Sequence, residues 1–205
     1  LNANDFLSTN QSVSFVVTVT MANSSSSKQG AWSKLQLKPK HIRWLMNIWG
    51  PFVGARIHIE EMSDDFRYVR VRMRQSWYNT NYVGVHFGGS LYAMTDPFYM
   101  LMVLHNLNQE GRKEGDTYVV WDKSAEIDFK SPGRGTVIAE FRLSGEQIAD
   151  IKAQADKQGK VEPLFTVDVR NKKGEIVATA HKRLYVRNTA IKRTPESYKI
   201  VSQTA

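Results

Sequence analysis

The sequence predicts an α+β fold in which a mostly antiparallel sheet wraps one long apolar helix. Three observations carry this. Residues 88–107 form an apolar run of helical length that holds a single formal charge, Asp96. Around it lie six segments with the alternation and the Gly, Pro and Asn punctuation of strands. An apolar helix beside such segments buries its surface only if the sheet packs onto it. With 205 residues, the chain suits one domain whose core needs neither disulfides nor metals.

Taken in order, residues 1–30 hold one Lys and one Asp, are rich in Ser, Asn and Thr, and contain the run Ser24–Ser27. They are expected to form a flexible extension, with 1–20 outside the native chain and Met21 its start. The domain is expected over 31–190 and a polar tail over 191–205. A helix is predicted from Pro39 to Phe52, because Ile42, Leu45, Met46 and Trp49 fall on one face. Gly50-Pro51 should end it. Strands follow at 55–62 and 66–75, joined by Ser63-Asp64-Asp65. In the second, Val69, Val71 and Met73 alternate with Arg70, Arg72 and Arg74, a buried face against a solvated one.

After the apolar helix, a polar loop runs from Asn108 to Thr117. Strands are then predicted at 118–130, 135–143, 163–171 and 176–187, with a helix at 145–157 opened by Ser144-Gly145. The stretches 131–135 and 171–174 carry turn signals.

Composition narrows the function. Without cysteine there is no Cys nucleophile, disulfide or thiolate metal site, which fits a reducing, cytoplasmic setting. The formal charge of +8 favours an anionic partner. No Lys/Arg block or zinc-finger spacing points to nucleic acid, whereas a phosphorylated small molecule would use the same field. Residues 87–104 barely reach spanning length and contain Gly88, Gly89, Asp96 and Pro97, so no integral membrane span is expected. The histidines at 41, 58, 86, 105 and 181 lack metal-ligand spacing, so no metal site is expected. Ser90 follows Gly89 without the second glycine of a nucleophile elbow, and phosphate-cradling glycine patterns are missing.

Asp96 is the only formal charge between Arg74 and Glu110. A buried unpaired carboxylate costs several kcal/mol or takes up a proton, and such groups concentrate at active sites. A capping or solvent-facing Asp is the plain alternative. Asp96 lies eight residues after Gly88, which puts it inside the predicted helix, where Pro97 should introduce a kink. Gly88-Gly89 at the helix start would present unpaired amides able to polarise a carbonyl; a simple glycine turn is the alternative.

Asn81, Gly84 three residues on, Gly88-Gly89 and Asp96 together resemble the hotdog-fold acyl-CoA thioesterases of the phenylacetate-degradation type. The branch most similar is the tetrameric acyl-CoA thioesterase-like group, long described as a domain of unknown function. The likeness spans about 40–187 and includes a last hairpin with Gly174-Glu175-Ile176-Val177-Ala178 and Lys182-Arg183-Leu184-Tyr185-Val186. It implies a hotdog fold and hydrolysis of acyl-CoA to free acid and coenzyme A. No cofactor is implied beyond the coenzyme A of the substrate, and the assembly implied is a homodimer or dimer of dimers. Gly88 and Gly89 would form the oxyanion site and Asn81 an orienting amide, while Asp96 would act as general base or as nucleophile. One departure is that Phe87 stands where the family has His, and His86 precedes it by one position.

His86, Phe87 and Ser90 are substrate-binding candidates beside the glycines. Lys130, Arg134, Lys182 and Arg183, near strand ends, are candidates for the coenzyme's phosphates. Trp44 and Trp49 suggest an acyl pocket for medium or long aliphatic chains. Two other readings stay open: an acyl-CoA-binding hotdog protein without chemistry, and a hotdog dehydratase or hydratase, which would need His86 beside the carboxylate.

Overall fold

Alternation in the chain becomes alternation in burial. Strand β3 (Tyr68–Arg74) turns Val69, Val71 and Met73 into the core. Its other face carries Arg70 and Arg72, which pair with Glu60 and Glu140 rather than standing free. Residues 14–18, 38–108 and 118–191 are described by a computed structural model of the chain. The Met21 start, the 109–117 loop and the tail beyond Ile191 lie outside the described residues.

The strands are β1 (Ser14–Thr18), β2 (Ile57–Met62), β3, β4 (Tyr118–Phe129), β5 (Thr136–Arg142), β6 (Lys160–Val161), β7 (Leu164–Asn171) and β8 (Ile176–Asn188). They form one antiparallel sheet in the order β1-β4-β8-β7-β5-β3-β2, with β6 added to β8. Six of them match the predicted segments; β6 is a short addition. β1 corrects the sequence reading. Within the stretch assigned to a flexible extension, Ser14–Thr18 pairs with β4 from Asp128 to Ser124. The long β4 has unpaired backbone groups on that side, and the β-prone Phe-Val-Val-Thr segment satisfies them.

The predicted N-terminal helix is two, α1 (Pro39–Asn47) and α2 (Gly50–Ala55). Gly50-Pro51 opens the second, because a proline in the first turn gives up no helical bond. Met46 and Phe52 are buried, whereas Trp44 and Trp49 face outward, 65% and 51% exposed.

The apolar centre is also two helices, α3 (Gly88–Ala93) and α4 (Phe98–Asn108), separated by residues 94–97 and the cis Asp96–Pro97 bond. Asp96 therefore stands outside both helices. Pro97 has no N–H to donate to a preceding carbonyl and its ring crowds the turn before it, so the segment breaks instead of kinking. Phe98, Tyr99, Met102, Val103 and Leu107 of α4 are buried in the core lined by the sheet. Phe98 packs on Phe141 and Tyr99 stacks on Phe165. α5 (Gly145–Gln158) starts at a reciprocal cap between Ser144 and Gln147. This is the hotdog plan, with the apolar helical segment embraced by an antiparallel sheet. Among the described residues, no helix is long and apolar enough to cross a membrane.

Candidate active site

Strand parity puts a cation into the core. Along β8, Ala178, Ala180, Lys182, Leu184 and Val186 all point inward, and Lys182 is 1% exposed. On neighbouring β4, Tyr118 and Val120 point inward and Asp122 continues their phase. A bulge between Asp122 and Ser124 then resets the phase so that Ala125 and Ile127 are the buried pair. The third arm is Asp96, at the break between α3 and α4.

Lys182 Nζ donates to Asp96 Oδ1 at 2.7 Å and lies 3.2 Å from Asp122 Oδ1. The second contact is an ion pair without hydrogen-bond alignment, so Asp122 Oδ1 lacks a donor among the described residues. The Tyr92 ring of α3 lies 5.2 Å from the ammonium. Burial pushes the Asp122 carboxyl up; Lys182 opposes the shift and the charge of Asp96 adds to it. For Lys182, burial alone would lower the pKa, but the charges of Asp96 and Asp122 outweigh it and the net shift is upward. Burial also raises the Tyr92 phenol. The Asp96 side chain is 42% exposed, not sealed in a helix as the sequence suggested, so one ammonium ties a solvent-reachable carboxylate to a deeper one.

Lys182 thus requires a correction. Read by its charge and its place near a strand end, it was a candidate for a coenzyme phosphate. In the fold it is buried and its charge is engaged by two carboxylates. Arg183, one residue on, is half-buried on the opposite face of β8. Lys130 pairs with Asp128 at 3.0 Å, and Arg134 donates to the Gly84 carbonyl at 2.9 Å.

The segment before α3 forms a second cluster. Asn81 Oδ1 accepts the N–H groups of Val83 and Val85 at 3.2 and 3.1 Å, and Gly84 takes φ 78°. The Asn-x-x-Gly spacing is therefore a turn whose carboxamide is used by its own loop. His86 is 2% exposed, its Nε2 lies 2.9 Å from the Gly135 carbonyl, and burial lowers its pKa. Its Nδ1 has no partner among the described residues.

Phe87 precedes α3, is 56% exposed, and its carbonyl accepts from Ser90 and Leu91. Ser90 is buried. Among the described residues, neither the Gly88 nor the Gly89 N–H has an acceptor. A side chain at Gly89 would collide with the Phe87 ring, its Cβ 2.3 Å from Cε1. Trp44 and Trp49, expected to line an acyl pocket, are exposed within the single chain.

The sequence reading missed Asp122 and Tyr92 as neighbours of Asp96. The signal for Asp122 was the parity change from Tyr118 and Val120 to Ala125 and Ile127, which marks a bulge beside a carboxylate. For Lys182 it was the unbroken even-numbered run from Ala178 to Val186.

Comparison with known proteins gives a consistent fold. A family described as "Domain of unknown function (DUF4442)" matches residues 40–186. A Pseudomonas aeruginosa protein, described as of unknown function and a probable thioesterase, is 23% identical with a TM-score of 0.64. The match covers 74% of this chain and 97% of that one. A Haemophilus influenzae thioesterase is 14% identical with a TM-score of 0.52, covering 78% of this chain and 98% of the other. A Chlorobaculum tepidum protein of unknown function is 14% identical with a TM-score of 0.57, covering 74% and 98%. No curated protein matches the chain.

Proposed function

We propose that this chain, which belongs to the family described as a domain of unknown function (DUF4442), hydrolyses acyl-CoA thioesters. The observation that carries the reading is Asp96, a half-exposed carboxylate held at a helix break by a buried ammonium. The unpartnered Gly88 and Gly89 amides supply the complementary part, donors for a developing oxyanion. The thioesterases among the structural neighbours support the same reading.

In the general-base route, Asp96 takes a proton from water as its oxygen adds to the thioester carbonyl, whose oxygen sits on the glycine amides. Collapse of the tetrahedral intermediate breaks the C–S bond, and the thiolate recovers the proton from Asp96. In the nucleophilic route, Asp96 itself adds to the carbonyl and water cleaves the resulting anhydride. In a single turnover in ¹⁸O-water, unlabelled acid with label in Asp96 marks the nucleophilic route with water attacking the Asp96 carbon of the anhydride; attack on the acyl carbon labels the acid, as the general-base route does. Asn81 acts by fixing the loop that leads into α3. Arg134, from the β4–β5 turn and bonded to the Gly84 carbonyl of that loop, together with Lys130 and Arg183, provides positive charge for the coenzyme's phosphates.

Replacing Asp96 with Asn is expected to lower thiol release from acyl-CoA at least about 100-fold with the fold retained. Turnover near that of the parent would remove Asp96 from the chemistry. A panel of acyl chain lengths also separates hydrolysis from tight binding without release. The buried, Gly135-bound His86 gives no support to the dehydratase alternative. A homodimer or dimer of dimers would bring the carboxylate of one subunit to the amides of another, and sedimentation of the active species tests this.

A further inference from the structure

Lys182 is the most deeply buried charged side chain among the described residues, and the hydrolytic steps above give it no part beyond its contact with Asp96. A lysine at 1% exposure gives up nearly all its water, a cost accepted only where counter-charges are close. Here there are two carboxylates for one ammonium, at 2.7 and 3.2 Å, approaching from separate elements: Asp96 from the α3–α4 break and Asp122 from the β4 bulge. Tyr92 of α3 faces the same ammonium across its ring.

With all three ionised the cluster carries one surplus negative charge. Its two acids are unequal: Asp96 is the aligned, shorter partner and is half exposed, while Asp122 is deeper and has one oxygen without a donor. An exposed, flexible aspartate has no reason to keep one direction. One tethered to a cation fixed by β8 does.

We propose that Lys182 is a positioning residue that aims Asp96, and that Asp122 is a second carboxylate competing for the same ammonium. This rests on the hydrolase reading of Asp96. Burial raises the pKa of Asp122, so its hold on the ammonium weakens as it takes up a proton. Lys182 then serves Asp96 with its charge less divided.

The test compares Lys182→Met, Asp122→Asn and the double variant, with kcat and KM for acyl-CoA hydrolysis measured separately beside thermal melting. Lys182→Met leaves two carboxylates facing each other without a cation. Its kcat is expected to fall at least about 30-fold with KM within about twofold, the pattern of a lost transition-state interaction. The double variant removes both the cation and the competing negative charge. It is expected to regain about tenfold of the lost kcat, and it supplies a folded protein if the single variant does not fold. A purely packing role for Lys182 would give no such recovery.

Parent-like kcat in Lys182→Met overturns the proposal. So does a loss confined to KM, which would make Lys182 a substrate-phosphate ligand, or a folded double variant no faster than a folded single one. If the parent protein releases thiol from no acyl-CoA, the hydrolase reading fails separately and melting decides the charge linkage. Recovery by Asp122→Asn of the stability lost in Lys182→Met supports the linkage, and no recovery overturns it.

Discussion

Gly84 sits at φ 78°, in the left-handed region, with its carbonyl taking hydrogen bonds from Gln75 and Arg134. A Cβ there meets only the Arg134 guanidinium, at 3.8 Å, so the cost of a side chain is conformational and not steric. Gly84→Ala is expected to destabilise the protein by about 1 kcal/mol in urea unfolding. It should also lower thiol release, because the loop it closes leads into α3; unchanged unfolding and turnover would show the turn to be tolerant. Asn81 and Gly84 were legible as a pair, but their function was not. A motif shows which residue types recur, and only the fold shows that the carboxamide is consumed by Val83 and Val85. Lys182 misled for a related reason. Its type says surface, whereas its parity along Ala178, Ala180, Leu184 and Val186 says core, and in the middle of β8 burial follows the parity.

Whole elements were more legible than their interruptions. Strands β2–β5, β7 and β8 fall where alternation and turns placed them, because each has one buried face and a one-residue slip would expose it. The apolar segment was read as one helix because its hydrophobicity is continuous; the break at residues 94–97 is a backbone event, carried by Pro97 alone. The α1–α2 division was hidden in the same way, since Gly-Pro closes one helix and opens the next with the same letters. α4 carries much of the core. Phe98, at 0% exposure between Phe52 and Phe141, is expected to cost about 3–5 kcal/mol on replacement with Ala, read as a lower urea midpoint at unchanged slope. A change below about 1 kcal/mol would show that the core relaxes around the cavity.

At the scale of the whole molecule, titrating groups pull in two directions. Glu60 and Glu140 would be raised by burial, but their arginine partners prevail and hold both below the usual carboxylate range. Their contribution is present above the unfolded pKa of about 4.3 and is lost as pH falls through the lower folded values. Asp122 has the opposite sign. Raised in the fold, it favours the folded state fully below about pH 3.9, and that contribution is lost as pH rises through its folded pKa. Asp122→Asn should therefore melt close to the parent near pH 3.5 and gain on it as pH rises toward neutrality. A difference independent of pH would mean that Asp122 does not titrate as its burial requires.

The pairing of Ser14–Thr18 with β4 has a consequence for assembly. A second copy extending the sheet at Ser124–Asp128 would have to displace a strand belonging to the same chain, which competes at a local concentration no separate molecule matches. The other end of the sheet is covered by side chains instead of a strand: Asn47 of α1 bonds the N–H and the carbonyl of Ile59 in β2, and Arg43 donates to the Glu60 carbonyl. Association through β4 is thus an exchange of strands rather than a simple addition, and residues 14–18 act as its built-in competitor. A chain without residues 1–20 should then self-associate at lower concentration in sedimentation. Identical behaviour would place the contact away from β4, leaving β1 as a permanent seal on that edge.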